Sequence, residues 1–134
     1  MTNSPKTSTL ELKLPGGPQA AGRAREEVAA GNGMVPASVR DDVLLLLTEL
    51  VTNAVRHGGA VDGLPVEVAV ARSPHGLRVA VTDPGAGFEW PGRKAGTAPG
   101  ENGYGLLLVD RMARRWGIER GESSTTVWFE LSRV

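Results

Sequence analysis

The sequence contains no cysteine. That absence excludes a disulfide framework, a thiol nucleophile and a Cys-ligated metal. With only two histidines, His57 and His75, a His-rich metal site is excluded as well. Charge of one sign is in no excess: 15 Lys and Arg balance 15 Asp and Glu. A general nucleic-acid binder needs a basic surplus to displace counterions from phosphates, so direct nucleic-acid binding is not expected. The longest unbroken apolar run is Val43 to Leu47, far short of the ~20 residues that cross a bilayer, and no membrane contact is expected. The opening Met-Thr-Asn-Ser-Pro-Lys has no apolar core of the kind a signal peptide carries. The expected location is therefore the cytoplasm.

What the chain does have is a globular balance, with 40% hydrophobic and 22% charged residues over 134 positions. At about 150 residues per domain this is a single domain, 1–134, long enough to fold without cross-links. Its 18 glycines and 9 prolines exceed the usual share and are unevenly spread. Between Pro84 and Gly105, 7 glycines and 3 prolines fall within 22 residues. A long Gly/Pro loop inside a small domain is usually functional or disordered.

Periodicity orders the rest. Residues 1–8 are polar and read as a loose tail. Leu10, Leu12 and Leu14 alternate with charged residues, a half-buried strand ended by Pro15-Gly16-Gly17. An Ala-rich helix over 18–30 stops at Gly31-Asn32-Gly33. Ser38 and Asp41 form a capping-box pattern opening a helix over 38–57, with Val39, Val43, Leu46, Leu47, Leu50 and Ala54 as its apolar stripe. Val66, Val68 and Val70, then Leu77, Val79 and Val81, alternate on either side of the four-residue connection Ser73-Pro74-His75-Gly76, a β-hairpin. Leu106, Val109, Met112 and Ala113 recur at helical spacing, opposite a polar face with Asp110, Arg111, Arg114 and Arg115. Trp116 to Arg120 and Thr125 to Leu131 form a second hairpin. The order β-α-α-β-β-α-β-β suggests helices packed on one face of a largely antiparallel sheet. Trp90, Trp116 and Trp128 read as packing residues.

Three short segments could carry chemistry. Glu49 and Asn53 lie one helical turn apart on one face, with His57 continuing the line. An amide oxygen there can ligate a hard cation such as Mg²⁺, and a carboxylate can take a proton from a hydroxyl or water. The polar edge of an amphipathic helix gives the same spacing. Asp83, before Pro84-Gly85-Ala86-Gly87, falls on the same strand face as Val79 and Val81. A carboxylate on that inward face requires a partner, and a ligand's exocyclic amine would serve. An Asp-Pro-Gly turn is the plainer account. Gly103-Tyr104-Gly105 leads directly into the third helix, where exposed N–H groups and the helix dipole favour phosphate. Neither a Rossmann nor a Walker glycine pattern occurs.

Taken in order, Glu-Leu-Val-Thr-Asn-Ala-Val-Arg-His-Gly (49–58), Asp-Pro-Gly-Ala-Gly (83–87) and Gly-Tyr-Gly-Leu-Leu-Leu-Val (103–109) resemble the boxes of the GHKL (Bergerat-fold) ATPases. That superfamily includes gyrase, histidine kinases, the ninety-kilodalton heat-shock chaperones and MutL-type repair proteins. The short form is most similar to the bacterial anti-sigma-factor serine/threonine kinases of the RsbW type. The resemblance runs from about Leu10 to Leu131. It implies an α+β two-layer sandwich: a mixed, mostly antiparallel sheet with three helices on one face. It further implies ATP and Mg²⁺ as ligands, Asn53 as the Mg²⁺-binding asparagine and Glu49 as the general base. By the same resemblance Asp83 accepts the adenine amino group. Gly85 and Gly87 lie under the base, and Gly103, Gly105 and the backbone at Tyr104 and Leu106 lie beside the phosphates. Residues 88–102 would be an ATP lid, with Arg93 and Lys94 its cations. The implied partners are a sigma factor and a small anti-anti-sigma protein that is phosphorylated on serine or threonine, with a homodimer possible. A nucleotide-dependent binding module without kinase activity and a detached histidine-kinase catalytic domain are the alternatives. The absence of a dimerisation helix disfavours the latter.

Overall fold

In-out alternation builds the sheet. In a computed structural model that describes residues 8–31, 33–57, 64–84 and 104–132, five strands run β1 (Ser8–Pro15), β2 (Pro65–Ser73), β3 (Gly76–Asp83), β4 (Arg115–Arg120) and β5 (Thr125–Ser132). Three helices lie between them: α1 (Ala20–Ala30), α2 (Arg40–His57) and α3 (Tyr104–Met112). The spatial order is β1-β2-β3-β5-β4, and all four pairings are antiparallel. The expected α+β architecture is therefore present, with an antiparallel sheet among the described residues.

Register aligns the apolar positions into rows. Leu12, Val68, Val81, Val127 and Ile118 face one another across the sheet, and Leu10, Val70, Val79, Phe129 and Trp116 form the next row. One step beyond the first row, Asp83 stands opposite Thr125. The helices cover this face. α2 brings Val43, Leu46, Leu47, Leu50, Val51 and Ala54, all fully buried, and α3 brings Leu106 and Val109. α1 contributes Ala20, Ala24 and Val28 at four-residue intervals, so its small side chains sit close against α2. Each large apolar side chain so enclosed stabilises the fold by about 1.5–3 kcal/mol.

Several boundaries differ from the sequence reading. Ser8 is in β1, opposite Arg72, rather than in the tail. Ser38 lies within a one-turn 3-10 helix, Ala37–Val39, and α2 starts at Arg40 with Asp41 and Asp42 in its first turn, near the positive end of the helix dipole. The β2–β3 connection is two residues, not four: Ser73 pairs with Gly76, which adopts a φ of 150°, and the Ser73 hydroxyl accepts the His75 N–H at 3.2 Å. Arg114 and Arg115 do not share the face of α3. The helix ends at Met112, the Arg114 N–H donates to the Glu130 carbonyl at 2.7 Å, and Arg115 is already in β4. The Trp116 indole N–H donates to Asp110 at 2.9 Å, tying β4 back to α3.

The opposite face of the sheet carries no helix among the described residues. There Glu130 receives Arg78 on Oε2 at 3.2 Å and Arg115 on Oε1 at 2.9 Å. Partial burial alone would raise the Glu130 carboxyl, but the hydrogen bonds and charges of Arg115 and Arg78 outweigh it and hold the group below its ordinary 4.5. A depressed carboxylate contributes stability that is complete above 4.5 and disappears as pH falls through the lowered value. Urea unfolding at neutral pH and at about pH 3 should show wild type losing more stability on acidification than Glu130→Gln. Equal losses would mean that the two arginines leave Glu130 uncoupled from folding.

Candidate functional site

The last two turns of α2 hold the first pair of site candidates. Helical geometry sets Glu49 and Asn53 on one line, and His57 is the final residue of the helix. Glu49 is half-buried, whereas Asn53 is only 6% exposed. The Asn53 Nδ2 is fully enclosed with no hydrogen-bond partner among the described residues. An unsatisfied buried amide costs about 1–3 kcal/mol, so its place beside Leu50 and Ala54 is not explained by packing. An amide can present either its oxygen or its nitrogen to a ligand, and rotation about the last bond exchanges them.

Asp83 is the last residue of β3, 1% exposed, on the helix-covered face opposite Thr125, which is fully buried. Both are engaged by neighbours. The strand alternation that sends Val79 and Val81 inward sends Asp83 inward too, which places a carboxylate at the apolar seam between sheet and helices. The sheet thus contributes two buried polar side chains, Asp83 and Thr125, and α2 one, Asn53, to the same interlayer.

The third segment behaves differently. α3 begins at Tyr104 and includes Gly105 and Leu106. The Leu106 side chain is 2% exposed and belongs to the core, so only its backbone could meet a ligand. Starting the helix at Tyr104 sets the positive end of its dipole directly after Gly103 in the chain. Gly85, Gly87 and Gly103, the segment 88–102 and its Trp90, Arg93 and Lys94 lie outside the described residues.

No group of three or more His, Cys, Asp or Glu side chains that could hold a metal occurs among the described residues. A cation here would rest on the Asn53 oxygen and on oxygens of a ligand. That donor set suits Mg²⁺, which binds through few protein oxygens plus phosphates and water. The unpaired Asn53 Nδ2 is a donor, so the side-chain amide would meet a cation only through its Oδ1 or after rotation about its last bond. No helix among the described residues is long and apolar enough to cross a membrane.

A cluster on the other face went unread in the sequence. Arg78 lies over the Trp128 ring at 4.2 Å, Arg115 at 5.9 Å, and Glu130 joins both arginines. Trp128 is therefore not a core residue. The available signal was parity: Arg78, Trp128 and Glu130 all occupy strand positions out of phase with the buried valines.

Three helices laid over one face of an antiparallel sheet, with an asparagine and an aspartate buried between the layers, define a two-layer α+β domain. Residues 15–131 match the histidine kinase-like ATPase domain family, and the chain belongs to that family. It is 40% identical over 77 residues to the uncharacterized protein SCO4941 of Streptomyces coelicolor, covering 55% of this chain and 70% of that protein. The RsbU and RsbW domains of Rv1364c from Mycobacterium tuberculosis superpose with a TM-score of 0.68 at 23% identity, a likeness of fold. That match covers 93% of this chain, which spans only 32% of the larger protein's chain.

If the Asn53 amide is kept for a ligand rather than for the core, replacing it with an apolar side chain should help the empty protein. Asn53→Leu removes the orphan donor at similar volume, and urea denaturation should show stability equal to wild type or higher by up to about 1–3 kcal/mol. A loss of that size would instead identify the amide as a structural hydrogen-bonding group.

Proposed function

We propose that this protein is an ATP-dependent anti-sigma regulatory factor that phosphorylates a serine or threonine of a small anti-anti-sigma protein and, when free of it, holds a sigma factor. The observation that carries this reading is the buried Asn53, its amide nitrogen unpaired among the described residues, one turn beyond Glu49 on α2. Membership of the histidine kinase-like ATPase family and the likeness of fold to the structure of the RsbU and RsbW domains of Rv1364c support it.

In this reading each residue has one task. Asp83 accepts the adenine amino group, with Gly85 and Gly87 allowing the base to approach the backbone. The backbone of Gly103, Tyr104, Gly105 and Leu106 faces the phosphates at the start of α3. Asn53 would hold Mg²⁺, which when bound would supply charge neutralisation to the phosphates. Glu49 accepts the proton of the partner's hydroxyl as its oxygen bonds to the γ-phosphorus and the bond to the leaving ADP breaks. Phosphoryl transfer asks mainly for positioning and charge compensation, so a small domain is sufficient. Reversible pairing with the two protein partners follows the phosphorylation state of the antagonist.

Binding and chemistry separate cleanly by mutation. Asp83→Asn swaps an acceptor for a donor facing the adenine amine, so two donors oppose each other. Calorimetry with Mg²⁺ should show a sharp loss of ATP affinity and a smaller loss for GTP, whose ring bears an oxygen there. Equal losses would make the carboxylate a structural group. Glu49→Gln retains size but no base. ATP affinity should stay within about threefold, near 0.6 kcal/mol, while transfer of labelled phosphate to a candidate antagonist drops by roughly 10²–10⁴. ATP binding with no transfer by wild type to any antagonist would sink the kinase reading and leave a nucleotide-dependent binding module. An acid-labile phosphohistidine product would point to a detached histidine-kinase catalytic domain.

A further inference from the structure

The buried polar groups of the inner face belong to the candidate site, but the arginine cluster of the outer face does not. That cluster borders a pocket of about 370 Å³, lined by Ser73, His75, Arg78, Arg114, Arg115 and Glu130. The volume lies within the usual range of small-molecule sites, roughly 300–1,000 Å³. Its walls come from separate parts of the chain. The β2–β3 turn supplies Ser73 and His75, and the α3–β4 junction supplies Arg114 and Arg115. Arg78 of β3 and Glu130 of β5 lie between them, because β5 is inserted between β3 and β4.

Two of the three arginines are held in place and still have donors to spare. Arg115 donates from Nε and Nη2 to Glu130 Oε1, at 3.0 and 2.9 Å. Arg78 donates from Nη1 to Glu130 Oε2 at 3.2 Å and lies over the Trp128 ring at 4.2 Å. A Cβ on Gly117 would come within 2.9 Å of that indole, so the glycine makes room for the ring on which Arg78 rests. A guanidinium has five N–H donors. Nη1 of Arg115 and both Nε and Nη2 of Arg78 therefore remain unspent among the described residues. Donors ordered in advance lose little freedom on binding. Arg114 is tied only through its backbone, whose N–H donates to the Glu130 carbonyl at 2.7 Å. Its guanidinium has no hydrogen bond or ion pair among the described residues. Three guanidinium charges against one carboxylate leave the pocket a surplus of two positive charges, in a chain whose net charge is zero.

We propose that this pocket binds the phosphate group of a small phosphorylated molecule, at a site separate from the one that holds Asn53 and Asp83. A phosphate monoester carries about −1.5 to −2 charges near neutral pH, which matches the surplus. Its oxygens suit the planar fork of a guanidinium, which can meet phosphate with two parallel N–H groups. A single carboxylate would neutralise only half the surplus, and an apolar ligand none of it. Ser73 adds a further donor: its hydroxyl accepts the His75 N–H at 3.2 Å and keeps its own proton to give. Glu130 reduces the charge by one but has an arginine on each oxygen, so the pocket meets an anion chiefly with N–H groups. The distance from the candidate nucleotide site is large. Arg78 and Asp83 are five residues apart in β3, about 17 Å along a strand, and they point to opposite faces of the sheet. The proposal therefore does not depend on the nucleotide reading.

Calorimetric titration of the full chain with inorganic phosphate and with pyrophosphate tests this. It is done without Mg²⁺ and at about 0.15 M salt, where loose surface charges are screened. Saturable one-to-one binding with Kd below about 1 mM is expected, and the Trp128 indole N–H resonance should move with the same midpoint. Arg114→Ala removes a guanidinium that makes no bond within the fold, so binding should weaken at least tenfold with an unchanged thermal midpoint. Arg78→Ala should weaken it as much. If the loss of its stack on Trp128 lowers the midpoint, Arg114→Glu carries the test instead and should abolish binding. Excess ATP with Mg²⁺ should leave phosphate binding in place. Competition by ATP would put the phosphate in the nucleotide site and overturn the proposal. So would the lack of saturable binding up to about 10 mM, or binding undiminished in both Arg114 variants. A short phosphoserine peptide that binds at least tenfold tighter than pyrophosphate would overturn the small-molecule assignment and give the pocket to a phosphorylated protein.

Discussion

The fit of α2 against the inner face of the sheet is the interaction on which the rest of the molecule depends. Its stripe of Val43, Leu46, Leu47, Leu50, Val51 and Ala54 is sealed against the apolar rows of the sheet and against the two other helices. Because that stripe fixes the rotation of the helix, it also fixes where every other residue of α2 points. Glu49 and Asn53 are carried to the border of the stripe, half-buried and buried respectively, by the same helical period that buries Leu46 and Leu50. No separate device is needed to aim them. A large-to-small change in the stripe would therefore disturb the candidate site as well as the core, through the tilt of one helix.

The same economy operates in β3. Strict alternation from Leu77 to Val81 leaves no choice about Asp83, which must enter the interlayer with them. An apolar residue at Asn53 would suit the core better on stability alone, whereas Asp83 is buried but engaged by its neighbours. Polar groups at both places are a local conflict within an otherwise consistent pattern, and such conflicts in natural sequences tend to mark sites of use.

Much of this was legible in the sequence, and the illegible part has identifiable causes. Period-two runs such as Val66-Val68-Val70 located the strands, and the long stripe of α2 located the helix, because both arise from local geometry. The ordered boxes at 49–58, 83–87 and 103–109 located the candidate site before any contact was known, and the match over 15–131 agrees with the family they indicated. The insertion of β5 between β3 and β4 was not legible, since alternation reports which face a residue takes and not which strand lies beside it. The loss of Arg114 and Arg115 from α3 has a similar cause. Their spacing after Leu106 and Val109 still suits a helix, but the Arg114 N–H gains a partner in β5 that local sequence cannot reveal. Trp128 does pack, but the sequence could not say on which face: only the register shows it paired with Ala80 and Gly117 away from the helices.

The two faces of the sheet are consequently built by opposite rules from the same strands. On the inner face large aliphatics interlock with helices, and the exceptions, Asp83 and Thr125, lie together at one end. On the outer face short side chains occupy the centre, and the exceptions are one tryptophan and a clamp of two arginines on one carboxylate. Residues of the outer face point away from α2, so their side chains make no part of the packing around Glu49, Asn53 or Asp83. Yet both sets hang on one backbone: Val79 and Arg78 are neighbours in β3, as are Phe129 and Trp128 in β5. Any shift of β3 or β5 felt at Asp83 would be felt by the Arg78–Trp128 stack a few residues away. The seam that holds the candidate site and the outward surface are thus two sides of the same strands, β3 and β5, which pair over their whole lengths.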